Sequence, residues 1–340
     1  MTLIDSITRG DVEDAASGMG KAFEDANVLL TGGAGFVGSW LCDILIHLNA
    51  RVTCLDNLSS GRISNIDHIQ SERFTFVNQD VCRFETEERY DYILHLASIA
   101  SPEDYEKRPD EALLSNSLGS YRVSEAARKG GSTILFASSS EVYGDAEVVP
   151  TPESYWGNVN PLGVRSCYDE AKRFGESLFM AYHRRYGVDV RIARIFNTFG
   201  PRMRADGAYA RVVPRFITQA LRDQAMTVYG DGSQTRSFCY IADTVKALLL
   251  QLVRKNARGD VLNIGDTCEV TILELAKKIR ETVDSESEIT FHPSRPDDPK
   301  RRCPDLTKVK KILGWTPKTS LSDGLDKTIE WFRVCTQDSP

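Results

Sequence analysis

The chain lacks the features that would place it in several large functional classes. It has no long basic run, and 42 Lys and Arg against 48 Asp and Glu give a formal net charge of −6. Affinity for nucleic acid comes largely from cations laid against phosphates, so no nucleic-acid partner is expected, and any phosphate must be held in a local pocket. The eight cysteines, at 42, 54, 82, 167, 239, 268, 303 and 335, are scattered with no Cys-x-x-Cys pair. That argues against a metal site or a disulfide framework and for the reduced thiols of a cytoplasmic protein. Cys42 and Cys54 lie in apolar runs, where cysteine acts as a small hydrophobe. No stretch approaches the length of a membrane span. The first residues, MTLIDSITRGDVEDAASGMG, carry acids and no apolar core, and so read as neither signal peptide nor membrane anchor. Internal repeats and low-complexity linkers are also missing. The one basic cluster, Lys300-Arg301-Arg302, is short and reads as a solvated loop.

What is present is a chain of 340 residues, 41% hydrophobic, enough for a full core. An extra, mostly polar helix is expected over about 5–22. Short β-rich runs follow at Asn27–Leu30, Arg51–Asp56, Phe74–Val77, Tyr92–Leu96, Thr133–Ala137, Val188–Ile195 and Val261–Ile264. Helical patterns lie at 37–48, 109–129, 168–186 and 242–254. Apolar strands alternating with helices predict an α/β fold, a Rossmann doubly wound parallel sheet. From about 198 the segments shorten and Gly, Pro, Arg and Asp cluster, as in Phe199-Gly-Pro-Arg-Met and Tyr229-Gly-Asp-Gly-Ser. Helices near 272–283 and 321–334 complete a smaller, discontinuous C-terminal unit. The expected division is an extension at 1–25, an NAD-binding domain at 26–197 with a return segment at about 238–265, and a substrate-binding domain from 198–237 and 266–335. The site then lies in the cleft between the two domains.

Gly32, Gly35 and Gly38 in Thr31-Gly-Gly-Ala-Gly-Phe-Val-Gly38 have the G-x-x-G-x-x-G spacing between a first strand and a first helix. Glycines there allow a tight turn, let a pyrophosphate approach the backbone and let the helix pack closely on the strand. Asp56, ending the second strand, can accept hydrogen bonds from both ribose hydroxyls and would repel a 2′-phosphate, which favours NAD over NADP. Asp80, after the third strand, either reaches the adenine or is a solvent-facing strand-end carboxylate. His95 reads as a packed core histidine. Tyr168 and Lys172, four apart, share one helical face. A phenol loses its proton near pH 10. A neighbouring ammonium and the nicotinamide cation would bring that value toward working range and make Tyr168 a base for a sugar hydroxyl.

Together these motifs make residues 26–335 resemble the extended short-chain dehydrogenase/reductase superfamily. The resemblance implies that Ser139, with Ser140 adjacent, donates a hydrogen bond to the hydroxyl being oxidised. It also fills out the NAD pocket with Phe36, Val37, Asn57, Val81, Leu96, Ala97 and Ser98. Within the superfamily, nucleotide-sugar 4,6-dehydratases have Thr-Asp-Glu where this chain has Ser139-Ser140-Glu141, and Ser140 removes their acid. Ser-Glu before Val-Tyr-Gly resembles the UDP-glucuronate decarboxylases, as do Tyr155–Arg173, Arg194–Met203 and Val228–Phe238. That subfamily implies Asn197 and Arg236 at the UDP pyrophosphate, Tyr229 near the uracil, Tyr105, Arg202 and Gln234 as further substrate contacts, and Arg302 at the sugar carboxylate or C5. The chain departs from it at Ile99, in place of a proline, at Lys107-Arg108, in place of Tyr-Asn, and at Val164, in place of a proline. The implied reaction oxidises C4 of UDP-glucuronate, loses CO₂ and returns the hydride, giving UDP-xylose, or the 4-keto pentose if NADH escapes. Glu141 would orient the ring or move a proton, and Arg302 or water would reprotonate C5. The alternative is a 4-epimerase of a UDP-uronic acid or UDP-sugar that uses the same oxidation. A homodimer through the helices near 109–129 and 168–186 is implied by the same resemblance.

Overall fold

Seven short apolar runs become the strands of one parallel sheet. The computed structural model describes residues 3–205, 211–294 and 299–337. Residues 206–210 and 295–298, within the expected substrate-binding portions, lie outside the described residues, as do the first two and last three of the chain.

The first half runs α1 (Leu3–Ala16), β1 (Asn27–Thr31), α2 (Phe36–His47), β2 (Arg51–Asp56), β3 (Phe74–Asn78), β4 (Tyr92–His95), α3 (Pro102–Lys107), α4 (Pro109–Gly130), β5 (Thr133–Ser139), α5 (Ser166–Tyr186) and β6 (Asp189–Ile195). There follow β7 (Thr198–Phe199), α6 (Val212–Leu221), β8 (Met226–Tyr229), β9 (Thr235–Ser237), β10 (Cys239–Tyr240), α7 (Ile241–Val253) and β11 (Val261–Ile264). The chain ends with β12 (Glu269–Thr271), α8 (Ile272–Val283), β13 (Ile289–His292), β14 (Arg301–Arg302), α9 (Thr307–Leu313) and α10 (Leu321–Gln337).

The main sheet has the order β3-β2-β1-β4-β5-β6-β11, with every pair parallel. Val28, Leu29 and Leu30 of β1 and Ile134, Leu135 and Phe136 of β5 are fully buried. Such continuous apolar runs are what a sheet covered on both faces requires. Trp40, Leu41 and Leu45 of α2 and Val245 and Leu248 of α7 share one apolar cluster. Val123 and Ala127 of α4 and Phe179 of α5 belong to the other. The strand order reverses between β1 and β4, opening a crevice at the carboxyl ends of the strands. Gly32 turns into that crevice with φ +76°, and a Cβ on Gly38 would lie 2.2 Å from the Gly32 carbonyl oxygen. Only glycines allow this turn and this helix–strand approach.

Two expectations are corrected. The N-terminal helix, expected over about 5–22, spans Leu3–Ala16 and packs on α2, α7 and α10. Val12, Ala15, Ala16 and Met19 follow i, i+3, i+4, i+7 spacing and are buried. Its Asp11 accepts a hydrogen bond from Tyr240 Oη at 2.7 Å and pairs with Lys327 of α10. The 300–302 cluster is a solvated run only in part, since Lys300 and Arg301 are exposed but Arg302, which the resemblance places at the sugar, is buried. Arg301–Arg302 form β14, parallel to β9 with Arg302 opposite Arg236, and the Arg302 side chain is buried while Arg301 stays exposed on Glu269. Sequence proximity of three cations says nothing about a strand partner 66 residues away.

Candidate active site

A cleft of about 680 Å³ lies over the carboxyl ends of the strands and is lined by every residue singled out from the sequence for cofactor, substrate or chemistry. On one side stand Gly32, Gly35, Phe36, Val37 and Gly38, then Asp56 and Asn57, Asp80 and Val81, and Leu96, Ala97 and Ser98. Asp56 is fixed because its carboxylate accepts the backbone N–H of Ala34 at 3.0 Å and of Leu58 at 2.8 Å. Burial raises its pKa, and those two backbone donors act against the rise. The Asp80 carboxylate accepts from the Cys82 backbone at 2.8 Å and from Asn57 Nδ2 at 3.3 Å, so it caps the turn after β3 while facing the cleft. His95 is a core residue, 1% exposed, bonded to Thr31 Oγ1 at 2.8 Å and Ser120 Oγ at 3.1 Å. Burial pushes it down to about 3, so it is neutral.

These residues fit a dinucleotide. The N-cap of α2 is Gly35, which offers no side-chain cap, so the first N–H groups of a 12-residue helix remain donors beside the glycine turn. Asp56 faces the cleft one strand away. Among the described residues no group of three or more His, Cys, Asp or Glu could hold a metal ion.

Tyr168 and Lys172 project from the start of α5, both buried. The Tyr168 ring stacks on Tyr105 of α3, with centroids 5.5 Å apart and planes at 9°. Lys172 Nζ donates to the Ala137 carbonyl at 2.9 Å and lies 5.6 Å from the Tyr168 ring centre. Burial acts on both groups. Burial pushes the Tyr168 phenol up to about 12, with a Ser139 hydrogen bond and the Arg211 charge pulling the other way. Burial also brings Lys172 down to about 7, with Glu176 opposing the fall. Burial costs the Lys172 ammonium hydration that a neutral amine does not need.

Glu141 follows β5 in the 3-10 turn Ser140–Tyr143, whose N-cap Ser139 accepts the Glu141 backbone N–H at 3.2 Å. Its carboxylate takes both Nη groups of Arg302, Nη2 at 2.8 Å, and also Arg165 Nη2 at 2.5 Å. Burial raises the Glu141 pKa, but Arg302 and Arg165 outweigh it and bring it down to about 2. The two arginines therefore favour the anionic form of Glu141. Beside it Asp169 is pushed up to about 7 by burial and by the Glu141 charge. Its Oδ1 is buried with no hydrogen-bond partner, and its Oδ2 stands 3.9 Å from Arg165 Nε. Neither Arg165 nor Asp169 was singled out from the sequence. The signal was their placement, at −3 and +1 around Tyr168 and i, i+4 to each other on the first turn of α5.

The substrate side of the cleft is more constrained than expected. Tyr105 is buried with its hydroxyl unpartnered. Asn197 donates through Nδ2 to the Ser237 carbonyl at 3.2 Å, and Gln234 through Nε2 to the Tyr229 carbonyl at 2.8 Å. Arg236 Nη1 donates to the Thr235 carbonyl at 2.9 Å. The Tyr229 ring carries the Arg215 guanidinium at 4.9 Å. Arg202 departs from a simple ligand contact. Its Nη2 pairs with Asp43 at 2.6 Å and its guanidinium lies 5.3 Å from the Trp40 ring centre, so it fastens the segment after β7 to α2.

Residues 29–328 match the family model described as GDP-mannose 4,6 dehydratase. The chain belongs to the extended short-chain dehydrogenase/reductase family. Among relatives in this family, UDP-glucuronic acid decarboxylase 1 of Danio rerio is 48% identical over 309 residues, 90% of this chain and 72% of the relative. UDP-glucuronic acid decarboxylase 3 of Arabidopsis thaliana is 46% identical over 309 residues, 90% of this chain and 89% of the relative. Extended-family structures superpose closely as well. An epimerase from Methanothermobacter thermautotrophicus has a TM-score of 0.87 at 32% identity, covering 96% of each chain. A UDP-glucuronic acid 4-epimerase variant from Bacillus cereus, solved with UDP-4-deoxy-4-fluoro-glucuronic acid and NAD, has a TM-score of 0.80 at 28% identity, covering 91% of this chain and 99% of the other. No helix among the described residues is long and apolar enough to cross a membrane.

Proposed function

We propose that this extended dehydrogenase/reductase is a UDP-glucuronate decarboxylase that forms UDP-xylose with NAD as a tightly held carrier. The observation that carries the reading is Glu141, an anion clamped by Arg302 and Arg165 at the end of β5 beside Tyr168. Ser140 precedes it where a dehydratase would need an acid.

Residues 26–197 with the return segment 238–265 form the cofactor half of this scheme, and 198–237 with 266–335 the nucleotide-sugar half. Gly32, Gly35 and Gly38 take the pyrophosphate, Asp56 and Asn57 the adenosine ribose, and Lys172 the nicotinamide ribose. The chemistry that NAD would supply when bound there is reversible hydride transfer at C4. Ser139 hydrogen-bonds the C4 hydroxyl and Tyr168 takes its proton. Arg236 and Asn197 hold the UDP phosphates, a role in which an arginine keeps its charge and forks onto two oxygens.

Oxidation at C4 makes a ketone β to the C6 carboxylate, so CO₂ can leave with the electron pair delocalised into an enolate. Arg302, held in place by Glu141, faces the cleft as fixed positive charge for the carboxylate and then the enolate. An arginine is a poor proton source, so water supplies the C5 proton. Epimerisation at C4 is the second reading, favoured by the likeness to solved epimerases of this fold. Identity of 46–48% to decarboxylases over 90% of the chain weighs against it. Incubation with UDP-glucuronate and NAD⁺, with CO₂ trapped and the nucleotide product resolved, tests the choice. UDP-galacturonate without CO₂ would establish the epimerase.

A cytoplasmic setting is part of the proposal, supported by eight free thiols. So is a homodimer. Leu114, Leu118 and Tyr121 repeat at i, i+4, i+7 along α4 and are 49%, 38% and 45% exposed, and Phe174 is exposed on α5, the helix that packs along α4.

A further inference from the structure

Three separate segments meet at one carboxylate on the rim of the cleft. Asp104 lies on α3, the helix whose Tyr105 stacks on Tyr168. Its Oδ2 stands 3.2 Å from Arg204 Nη1, and the same Nη1 donates to the Ser60 carbonyl at 3.3 Å. Its Oδ1 stands 3.9 Å from Arg108 Nη2, which donates to the Ser59 carbonyl at 3.3 Å. Ser59 and Ser60 follow Asp56 in the loop behind the ribose carboxylate, and Arg204 comes from the segment beyond β7. Arg108 stands where the decarboxylase stretch has asparagine. Among the described residues no backbone–backbone hydrogen bond joins the 57–61 loop to α3 or to 202–205. The closure of this rim therefore rests on side chains.

We propose that Asp104, with Arg108 and Arg204, is a latch that keeps the reduced cofactor in the cleft through the catalytic cycle, and so decides whether UDP-xylose or the 4-keto pentose is released. The proposal rests on the decarboxylase reading. If the cofactor stays, the hydride taken from C4 returns and the products are UDP-xylose and CO₂, with NAD⁺ regenerated. If it leaves early, they are UDP-4-keto-pentose, CO₂ and NADH, and the proton taken from O4 balances the one gained at C5. Asp104, Arg108 and Arg204 side chains are 19%, 29% and 36% exposed. Pairs so placed are weak one by one and sensitive to salt, which suits a closure that must open for cofactor exchange.

The test uses the holoenzyme, Asp104→Asn and Arg108→Asn, with melting curves to confirm folding. NAD(H) retained through gel filtration is measured by absorbance and mass, and the ratio of 4-keto pentose plus NADH to UDP-xylose by chromatography. Asp104→Asn should raise the ketone fraction and lower cofactor retention by about fivefold each. CO₂ per substrate consumed should not change. Raising salt from about 50 mM to about 500 mM should reproduce the effect in the wild type and add little in the variant. Unchanged retention and product ratio in both folded variants, or a wild type that releases mostly ketone, would overturn the latch. A wild type that makes no CO₂ from UDP-glucuronate would instead sink the decarboxylase reading, and cofactor retention would still report on the latch.

Discussion

Arg302 meets Glu141 with both guanidinium nitrogens, Nη2 at 2.8 Å, across 161 positions of sequence. Arg302 is buried, Glu141 is largely so, and Arg165 is a third member of the cluster. Removing one member of such a cluster leaves charge without compensation. Glu141→Ala should destabilise the fold by about 3 kcal/mol in chemical denaturation. It should also slow CO₂ release more than transient C4 oxidation, read as absorbance at 340 nm in a single turnover. Equal losses of both would mean that the cluster only shapes the site.

The two carboxylates of this cluster bend the pH–stability curve in opposite ways. Glu141 is held at about 2, below its ordinary value, so its contribution is full above about pH 4.5 and is lost as pH falls toward 2. Asp169 is raised to about 7, so the native state holds its proton longer than the unfolded chain, and stability falls as pH rises from about 4 to 7. Asp169→Asn should flatten that fall, gaining on the order of 2 kcal/mol at pH 8 and little at pH 4. A variant with the wild-type slope between pH 4 and 7 would assign that slope to other groups.

Tyr168→Phe keeps the stack on Tyr105 and removes the acidic hydroxyl. Turnover should fall by about 10²- to 10⁴-fold and transient NADH should disappear, while the Kd for the UDP-sugar changes little. Persistence of the 340 nm transient would reassign the base.

Much of the fold was legible in the sequence because apolar runs and glycine turns are local signals. β11 was read as Val261–Ile264, and α8 as 272–283, with the bounds they have. Gly32, Asp56, Tyr168 and Lys172 likewise stand in short motifs, and all four line the cleft. What could not be read was pairing at a distance. Arg165 and Arg302 converge on Glu141 from 24 and 161 positions away, and only β14 pairing with β9 buries the latter. The depressed Lys172 and raised Tyr168 are also tertiary effects, since burial causes both.

The apolar stripe of α4 makes a prediction for assembly. Leu118→Glu places a charge at its centre, and light scattering at micromolar concentration should show a dimer become a monomer. A dimer that survives this change and Leu114→Glu would use another face.

The most direct measurement is the product made from UDP-glucuronate labelled at C6. Decarboxylation predicts one labelled CO₂ for each UDP-xylose formed, without net change in NAD⁺. Label retained in a UDP-hexuronate, with no CO₂ released, would contradict it.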